Sequence, residues 1–464
     1  MTSPDQSHLS AMAAAIRGGQ LSAVQASTQC LERIAQRDGA LHAFIAVERE
    51  AALRDAEQLD AAAQAGKPMG LLHGLPLAVK DLFHRSGKPT SAGSTVYPQP
   101  ANTDATVITR LRQAGAVLLG TLNLDEFAAG GTGMNAHFGR CCNPWDLDRI
   151  TGGSSSGSAV AVAANLVPVT LGSDTGGSAR VPAAYCGVTA IKPSFGLVSL
   201  EGVFPRAPPF DSISPMGHSV EDCQTLLAVI AGGPSGRAPP LPEMDRALAQ
   251  AAKLRLGVAL SQFNGAVEPA VMDKLERAVG TLGRVASGHR SVRLPDLELM
   301  TSLHQAVVKF EGARIHRGVL RTQAGGISLA ARGAIETGLF LDPSVASRAL
   351  AVRAAILEHF LAVAFADAVV LLLPVTMSVA PLAQDVSQAS ASDIVAFFAQ
   401  SGRACRFVNY LGLPALSLPC GFVDGLPVGL QLVGRPNRED ELFALGRAYQ
   451  QMTDFHLRQP GAWN

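Results

Sequence analysis

The chain has 464 residues, of which 47% are apolar and only 16% are charged, and its 38 basic residues balance its 38 acidic residues. This length allows a large buried core and either one large domain or two to three ordinary domains. Because the net charge is zero, no electrostatic feature points to nucleic acid or to an anionic membrane surface as a partner. Small, neutral partners are therefore favoured.

The first twenty residues do not have the pattern of a secretory signal, because Asp5 comes early, no basic segment is present and the apolar patch at 11–16 is short. Asp367 interrupts the longest apolar run, so no run is long enough to span a bilayer. We therefore expect a soluble, cytoplasmic protein with no membrane partner.

Cysteine and histidine patterns bear on metals and disulfides. The seven cysteines contain no CxxC pair and are too sparse for a disulfide scaffold, so we expect reduced, partly buried thiols. The eleven histidines contain no HExxH or HxH pattern, which gives a metal-dependent hydrolase little support. We expect neither a metal nor a cofactor.

The N-terminal part of the chain predicts alternating helices and strands, which is typical of a layered sheet protein. Ser22 is a candidate N-cap for the first amphipathic helix, and Lys80 ends a short apolar run. The predicted elements are helices over 21–37, 48–65 and 106–114, and strands over 40–47, 75–79 and 116–120.

Two segments rich in glycine and serine, 152–158 and 172–180, flank the small-residue apolar run 159–171. This run can hold one short helix and one short buried strand. Clustered glycines are costly in regular elements, so they indicate backbone that approaches a small polar ligand closely.

The second segment also contains a candidate nucleophile. Ser178 follows Thr175, Gly176 and Gly177, and successive backbone N–H groups in such a turn can form a concave anion-binding nest. A serine nucleophile needs a base and donors for the oxyanion of the tetrahedral intermediate. These four residues could supply both the nucleophile and the oxyanion hole.

Three motifs resemble those of the amidase signature family of serine hydrolases. The family's GGSS appears at 152–155, and its GxDxGGSxRxPA appears at 172–183, with the family's spacing between the serines of the two motifs. A third motif, GLPLAVKD at 74–81, resembles the family's strand that carries the catalytic lysine. The resemblance covers most of residues 22–235 and returns at 405–435.

The resemblance implies a catalytic triad of Ser178, Ser154 and Lys80. Ser178 would attack an amide carbonyl, Ser154 would relay the proton from a cis peptide bond, and Lys80 would accept it as the base. Lysine has an ordinary pKa of about 10.4, so Lys80 can act near pH 7 only if burial lowers its pKa. The apolar residues at 75–79 are consistent with such a buried strand.

Two further features surround this triad. In the family, the glycine-rich loop at 123–135 lines the acyl pocket, which makes Ala128, Gly130 and Gly131 candidate substrate contacts; a plain loop is the alternative. Asp174 and Arg180 could pair to hold the nucleophile loop, or each could meet other partners. His218 is expected to be structural, because the triad needs no histidine.

Beyond a Pro/Gly-rich segment at 232–243, which predicts a linker, residues 254–366 resemble the family only loosely. In family members this region shapes the substrate funnel. The predicted elements are strands over 256–260 and 368–374, helices over 269–282 and 344–362, and a hairpin turn at Asp424-Gly425.

Two positions bear on glutamine as a substrate. Arg353 stands where glutamine-using relatives carry an arginine for the substrate carboxylate, and an exposed helix arginine is the alternative. Gly402 stands where amidotransferase subunits place an acidic residue, about seven positions before Asn409. This departure argues against glutamine.

These observations predict an α/β/α sandwich around a mixed, mostly parallel central sheet. We expect one amidase domain over residues 1–464, with a core at 20–235 and 400–455 and a variable substrate-funnel region at 250–400. The predicted function is hydrolysis of a carboxylic or urea-type amide, a small-molecule substrate, through a serine acyl-enzyme that releases ammonia or an amine.

Other functions are weighed against this one. The nearest alternative is the glutaminase subunit of a tRNA-dependent amidotransferase, which would pass ammonia to a partner protein. A nucleotide-binding protein is disfavoured because no GKS or GKT follows the glycines. A catalytically silent scaffold is disfavoured because all three triad positions are filled. A homodimer and a small accessory subunit both stay open.

Overall fold

The computed structural model describes residues 8–232, 244–389 and 400–461, together with Asp393 and Phe397. Apart from Gly232, the predicted linker at 232–243 lies outside the described residues. The α-helices span Leu9–Arg17, Ala23–Leu41, Arg49–Gln64, Thr106–Gln113, Ser156–Ala163, Arg180–Cys186, Val220–Ile230, Met244–Ala251, Pro269–Val285, Leu297–Thr322, Leu329–Glu336, Pro343–Ala351, Arg353–Ala364, Ala383–Gln388, Arg406–Leu411 and Glu439–Met452.

The strands, in chain order, are β1 Phe44–Val47, β2 Pro76–Lys80, β3 Val117–Leu122, β4 Met134–Asn135, β5 Gly139–Arg140, β6 Val169–Ser173, β7 Thr189–Lys192, β8 Ile213–Gly217, β9 Leu256–Val258, β10 His289–Ser291, β11 Val370–Pro374, β12 Ala415–Val423 and β13 Leu426–Gly434. Eleven of them form one sheet in the order β1-β3-β2-β6-β8-β7-β12-β13-β11-β9-β10, and β4 pairs with β5.

Helices flank this sheet, and the predicted α/β/α sandwich around a mixed sheet is confirmed. Parallel pairs join β3 to β2 and β2 to β6, the part that carries Lys80, and also join β11, β9 and β10. The expectation of a mostly parallel sheet applies to those parts. From β6 through β8, β7, β12 and β13 to β11, every described pair is antiparallel.

One cause of the antiparallel middle is a hairpin with a two-residue turn. Asp424 and Gly425 join β12 to β13 and have φ values of 51° and 80°. Two consecutive residues with positive φ are the signature of the tight turn that matches strand twist, and such a short connection permits only antiparallel pairing. The predicted hairpin is therefore confirmed.

Most predicted elements are present with shifted ends. The first helix begins after Ser22, whose side chain accepts from the Gln25 N–H at 3.1 Å while the Gln25 side chain caps Ser22 in return. It continues to Leu41, so the following strand is shorter than expected. The helical stretch predicted over 344–362 is two helices that meet at Val352.

The largest hydrophobic cluster takes side chains from both predicted parts of the core, from Leu9 near the N-terminus to Tyr449 in the last helix. It also includes residues of the expected variable region, such as Val271 and Phe360. We propose that the described residues form one domain, because a continuous core joins them.

Candidate active site

Lys80 is placed by the centre of the sheet. It ends β2, in which all five residues are buried, between the parallel neighbours β3 and β6. Its ammonium group has no solvent exposure and donates hydrogen bonds to Ser154 Oγ at 2.8 Å, Ser173 Oγ at 2.9 Å and Ser155 Oγ at 3.0 Å. The lysine therefore lies among hydroxyl groups, and no carboxylate of the described residues forms an ion pair with it.

This environment changes the acidity of the lysine. Burial lowers the pKa of Lys80 to about 7, because desolvation disfavours the ammonium form. The carboxylates of Asp125, Asp174 and Asp211 act in the opposite direction and limit the fall. A large fraction of Lys80 is thus neutral at neutral pH and can accept a proton.

Ser154 follows a cis peptide bond from Gly153, as the resemblance implies. The backbone then enters the helix Ser156–Ala163, whose residues are all buried. Ser155 connects this segment to its surroundings, because its Oγ donates to the Ser173 carbonyl at 3.0 Å and its N–H donates to the Ser178 carbonyl at 3.0 Å. The two serine-bearing segments are therefore fixed against each other.

Ser178 lies half-buried just before the helix Arg180–Cys186. Its carbonyl accepts from the N–H of Ser155, the residue after Ser154, at 3.0 Å, but among the described residues its Oγ makes no hydrogen bond to the Lys80–Ser154 pair. The backbone N–H groups of Thr175, Gly176 and Ser178 also have no acceptor within the described ranges. They can serve as donors for an oxyanion.

Gly177 departs from the expected four-donor oxyanion hole. Its N–H points inward and donates to Asp174 Oδ1 at 2.8 Å. Because this donor is already engaged by a buried carboxylate, it is not free for an oxyanion in this conformation. The expectation for Gly177 is corrected, and the free donors lie at the other three positions.

Asp174 and Arg180 form the predicted pair. The guanidinium donates from Nε to Asp174 Oδ2 at 3.0 Å and from Nη2 to Oδ1 at 2.9 Å, and neither side chain is exposed. Burial alone would raise the pKa of Asp174, but the charge and hydrogen bonds of Arg180 outweigh it and lower that pKa. The carboxylate also accepts the Gly177 N–H, so the pair holds the turn beneath Ser178.

Two residues that the sequence did not assign complete this network. Asn409 Nδ2 donates to Asp174 Oδ1 at 2.8 Å and its Oδ1 accepts from Arg180 at 2.6 Å. Gln431 Oε1 accepts from Arg180 Nη1 at 2.8 Å. A lone polar residue in the otherwise apolar strand β13 was the available signal for Gln431. Both residues tie the C-terminal core to the nucleophile loop.

The loop at 125–133 folds around the buried carboxylate of Asp125, which accepts from the N–H groups of Thr132 and Gly133 at 3.2–3.3 Å. A Cβ on Gly153 would meet this carboxylate and would lie 3.2 Å from the Gly131 carbonyl carbon. Gly130 and Gly131 therefore lie beside the cis peptide bond. Ala128 is buried in a cluster with Phe127, so its contact with substrate stays a prediction.

Arg353 and Gly402, the two positions that bear on glutamine as a substrate, each lie beside identifiable side chains in the structure. Arg353 lies over the rings of Phe195 and Phe210 and donates to the Pro209 carbonyl at 3.1 Å, so it is partly buried between rings and is not the exposed helix arginine. A Cβ on Gly402 would lie 2.9 Å from Arg406 Nη2. A guanidinium thus occupies the space next to the position that is acidic in amidotransferase subunits.

Among the helices that the structure describes, none combines the length and apolar character needed to cross a bilayer. The seven cysteines are all buried and free. His218 is buried, and its ring lies 5.1 Å from that of His8. Over the same described ranges, no group of three or more His, Cys, Asp or Glu side chains is arranged to hold a metal ion.

Comparisons with known proteins identify the family of the chain. A family model described as Amidase matches residues 25–443. The A subunits of glutamyl-tRNA(Gln) amidotransferase from Symbiobacterium thermophilum and Chloroflexus aggregans are each 36% identical to this chain, over 95% and 97% of it and 96% and 97% of their own lengths.

Solved structures also match over almost the whole chain. One, from a vestigial protein complex that bears on the origins of an s-triazine catabolic enzyme, has 33% identity and a TM-score of 0.87 over 96% of this chain and 98% of its own. The native peptide amidase of Stenotrophomonas maltophilia has 29% identity and a TM-score of 0.81 over 97% of both chains. The chain therefore belongs to the amidase family, the enzymes that carry the amidase signature.

Proposed function

We propose that the chain hydrolyses an amide through a serine acyl-enzyme, with Ser178 as the nucleophile, Ser154 as the proton relay and Lys80 as the base. The observation that carries this proposal is the 2.8 Å hydrogen bond between Lys80 Nζ and Ser154 Oγ, at a buried lysine whose pKa is lowered to about 7. A neutral lysine in contact with a serine hydroxyl is a competent base at physiological pH.

In the first half-reaction, Ser178 Oγ forms a bond to the amide carbon and passes its proton through Ser154 Oγ to neutral Lys80. The N–H groups of Thr175, Gly176 and Ser178 donate hydrogen bonds to the oxyanion and stabilise its charge. Catalytic hydrogen bonds are often long before substrate binds, so the missing contact from Ser178 Oγ is expected to form in the complex.

The first half-reaction ends when the proton path reverses: Lys80 returns its proton through Ser154 to the leaving nitrogen, the carbon–nitrogen bond breaks, and ammonia or an amine departs. In the second half-reaction, water attacks the acyl-enzyme with Lys80 as the base, and the carboxylic acid leaves as Ser178 regains its proton. No group outside these side chains and water is required for the atoms and charges to balance.

The pKa of Lys80 predicts the pH dependence of the reaction. Only the neutral amine accepts a proton, so kcat/KM for an amide should rise about tenfold per pH unit below the pKa and level off above about pH 7. The pH profile of kcat/KM, which reports groups of the free enzyme, measures this. A profile that is flat from pH 5 to pH 8 would contradict the assignment of Lys80 as the base.

A second buried lysine provides the control. Burial also lowers the pKa of Lys192 to about 7, and its Nζ donates to the Pro193 carbonyl at 2.7 Å, outside the serine cluster. A Lys192→Met variant should keep the rise of kcat/KM with pH. If that variant lost the rise, the titrating group would be Lys192.

The glutaminase subunit of a tRNA-dependent amidotransferase is the second candidate. The relatives with 36% identity carry that name, and this similarity favours it. The arrangement of Gly402 and Arg406 favours a different amide, because a guanidinium stands beside the position where amidotransferase subunits carry an acid. Both candidates share the amide hydrolysis proposed above.

Ammonia or amine release from a panel of amides decides between the two. The panel contains glutamine, aliphatic amides, aryl amides and urea-type amides, with the Ser178→Ala variant as the blank. Turnover of simple amides while glutamine is not hydrolysed would support an amidase that acts without a partner. Turnover of glutamine alone, or activity only after a partner subunit is added, would support the amidotransferase subunit.

A further inference from the structure

Arg206 is a buried arginine without a partner. Its side chain is 8% exposed, and within the described residues its guanidinium makes no hydrogen bond and no ion pair; Nη1 is completely buried. Asp211 lies nearby, but its carboxylate accepts from the backbone N–H groups of Arg206 and Ala207 at 3.0–3.1 Å. The Asp211 carboxylate therefore attracts the Arg206 charge through space, but its hydrogen bonds go to the backbone and none goes to the guanidinium.

Arg180 is also buried, but its guanidinium has partners: it donates to a carboxylate and to two amide oxygens. Burial lowers the pKa of Arg206 to about 10, which leaves it charged at neutral pH. A buried charge without a hydrogen-bonded partner costs free energy. Binding of an anion to the guanidinium would offset this cost.

The position of Arg206 relates it to the candidate active site. Asp211, which holds its backbone, also accepts from Thr175 Oγ1 at 2.6 Å, and Thr175 belongs to the turn with the free oxyanion donors. On the other side, the guanidinium lies against the helix Leu297–Thr322. A Cβ on Gly312 of that helix would come within 2.6 Å of Arg206 Nη1, so the glycine leaves room for the charge.

The same face of this helix carries two buried histidines. His304 Nε2 donates to the Thr175 carbonyl at 2.7 Å, and the His316 ring packs 4.2 Å from that of Phe127, in the loop of the predicted substrate contacts. Burial lowers the pKa of His304 to about 3 and that of His316 to about 4, and the charge of Arg206 contributes to both shifts. Both rings are neutral, so the positive charge beside them comes from arginines: from Arg406 and Arg206 at His304, and from Arg206 at His316.

We propose that Arg206 binds a carboxylate of the substrate and so selects amides that carry a negative charge away from the scissile bond. This inference rests on the proposed function, because the scissile carbonyl is placed at Ser178. A planar guanidinium with free N–H donors matches a carboxylate by paired hydrogen bonds, and burial strengthens them. Arg353 differs from Arg206 because it already has partners, stacking on two rings and donating to a backbone carbonyl.

The test compares charged and neutral amides of equal chain length: succinamate with butyramide, and glutaramate with pentanamide. The wild type should prefer the charged member of each pair in kcat/KM. In Arg206→Met we expect a loss of about 10- to 100-fold for the charged amides, mainly in KM, and little change for the neutral ones. Arg206→Lys should recover part of the loss. A wild type with no preference, or a preference that Arg206→Met leaves intact, would overturn the proposal.

A binding measurement separates this inference from the proposed function. In a Ser178→Ala background, calorimetry measures the Kd of succinamate and glutaramate with and without Arg206→Met. Suppose that the parent enzyme hydrolysed no amide but that these ligands bound only when Arg206 was present. The proposed amide hydrolysis would then be wrong, and the proposed anion site at Arg206 would be supported. If amides were hydrolysed but ligand affinity did not depend on Arg206, the anion site would fail alone.

Folding provides a further check on the role of Arg206. Because the guanidinium has no partner among the described residues, Arg206→Met should unfold at the same urea concentration as the parent or at a higher one. A clear loss of stability would show that Arg206 is a structural residue with a partner in the chain, and would count against the proposal.

Discussion

The Ser178→Ala variant is expected to lose about four to six orders of magnitude in kcat while it remains folded. Without the hydroxyl no acyl-enzyme forms, and single removal of a nucleophile typically costs as much as removal of a whole catalytic triad. The half-buried Ser178 Oγ makes no hydrogen bond among the described residues, so its loss should not disturb the fold. Steady-state release of ammonia, with the urea midpoint measured alongside, tests this expectation.

A matched serine keeps the experiment specific. Ser158 is buried in the helix Ser156–Ala163, and its Oγ donates to the Leu171 carbonyl at 3.3 Å, away from the lysine. Ser158→Ala should stay within a few-fold of the parent. If Ser178→Ala retained activity within tenfold of the parent, Ser178 would not be the nucleophile and the proposed mechanism would fall.

The motifs made much of this site predictable. Lys80, Ser154 and Ser178 lie in short motifs whose resemblance to those of the amidase signature family implies their roles, and two of the three meet by hydrogen bonding in the structure. The direction of the Gly177 N–H was not predictable, because it depends on where the Asp174 carboxylate points. Local sequence shows that a turn exists, but side-chain partners decide which donors of the turn remain free.

Contacts over long sequence distances account for most of the rest. Asn409 and Gln431 reach Arg180 from 229 and 251 positions away, and no local pattern encodes such a meeting. Strand pairing in the sheet also depends on contacts that are distant in sequence. The hairpin turn predicted one antiparallel pair, but the register of β7 and β8 with their neighbours is visible only in the structure. Arg206 lies in none of the sequence motifs. It is identified only in the structure, where its buried guanidinium has no hydrogen-bond partner among the described residues.

The Arg180→Met variant is expected to lose about 3–5 kcal/mol of unfolding free energy, because it leaves the buried Asp174 carboxylate without its bidentate cation. Asn409 and the Gly177 N–H would still contact that carboxylate but carry no charge. The oxyanion turn depends on the same carboxylate, so activity should fall as well. Urea unfolding at pH 7 measures the loss. The matched control is Arg206→Met, at a buried arginine whose guanidinium has no hydrogen bond or ion pair among the described residues.

The pH dependence of stability distinguishes a lost ion pair from a general packing defect. Arg180 keeps the pKa of Asp174 in the folded protein below that of the unfolded chain, about 3.9. The unfolded chain therefore takes up the proton first as the pH falls, so the stability from this carboxylate is complete above about pH 4 and decreases below it. In Arg180→Met the pKa of Asp174 in the folded protein should rise. The variant should therefore lack this contribution to stability at pH 7, and it should lose less additional stability than the parent as the pH is lowered. A variant destabilised equally at pH 7 and at low pH would show that packing, and not the ion pair, holds the turn beneath Ser178.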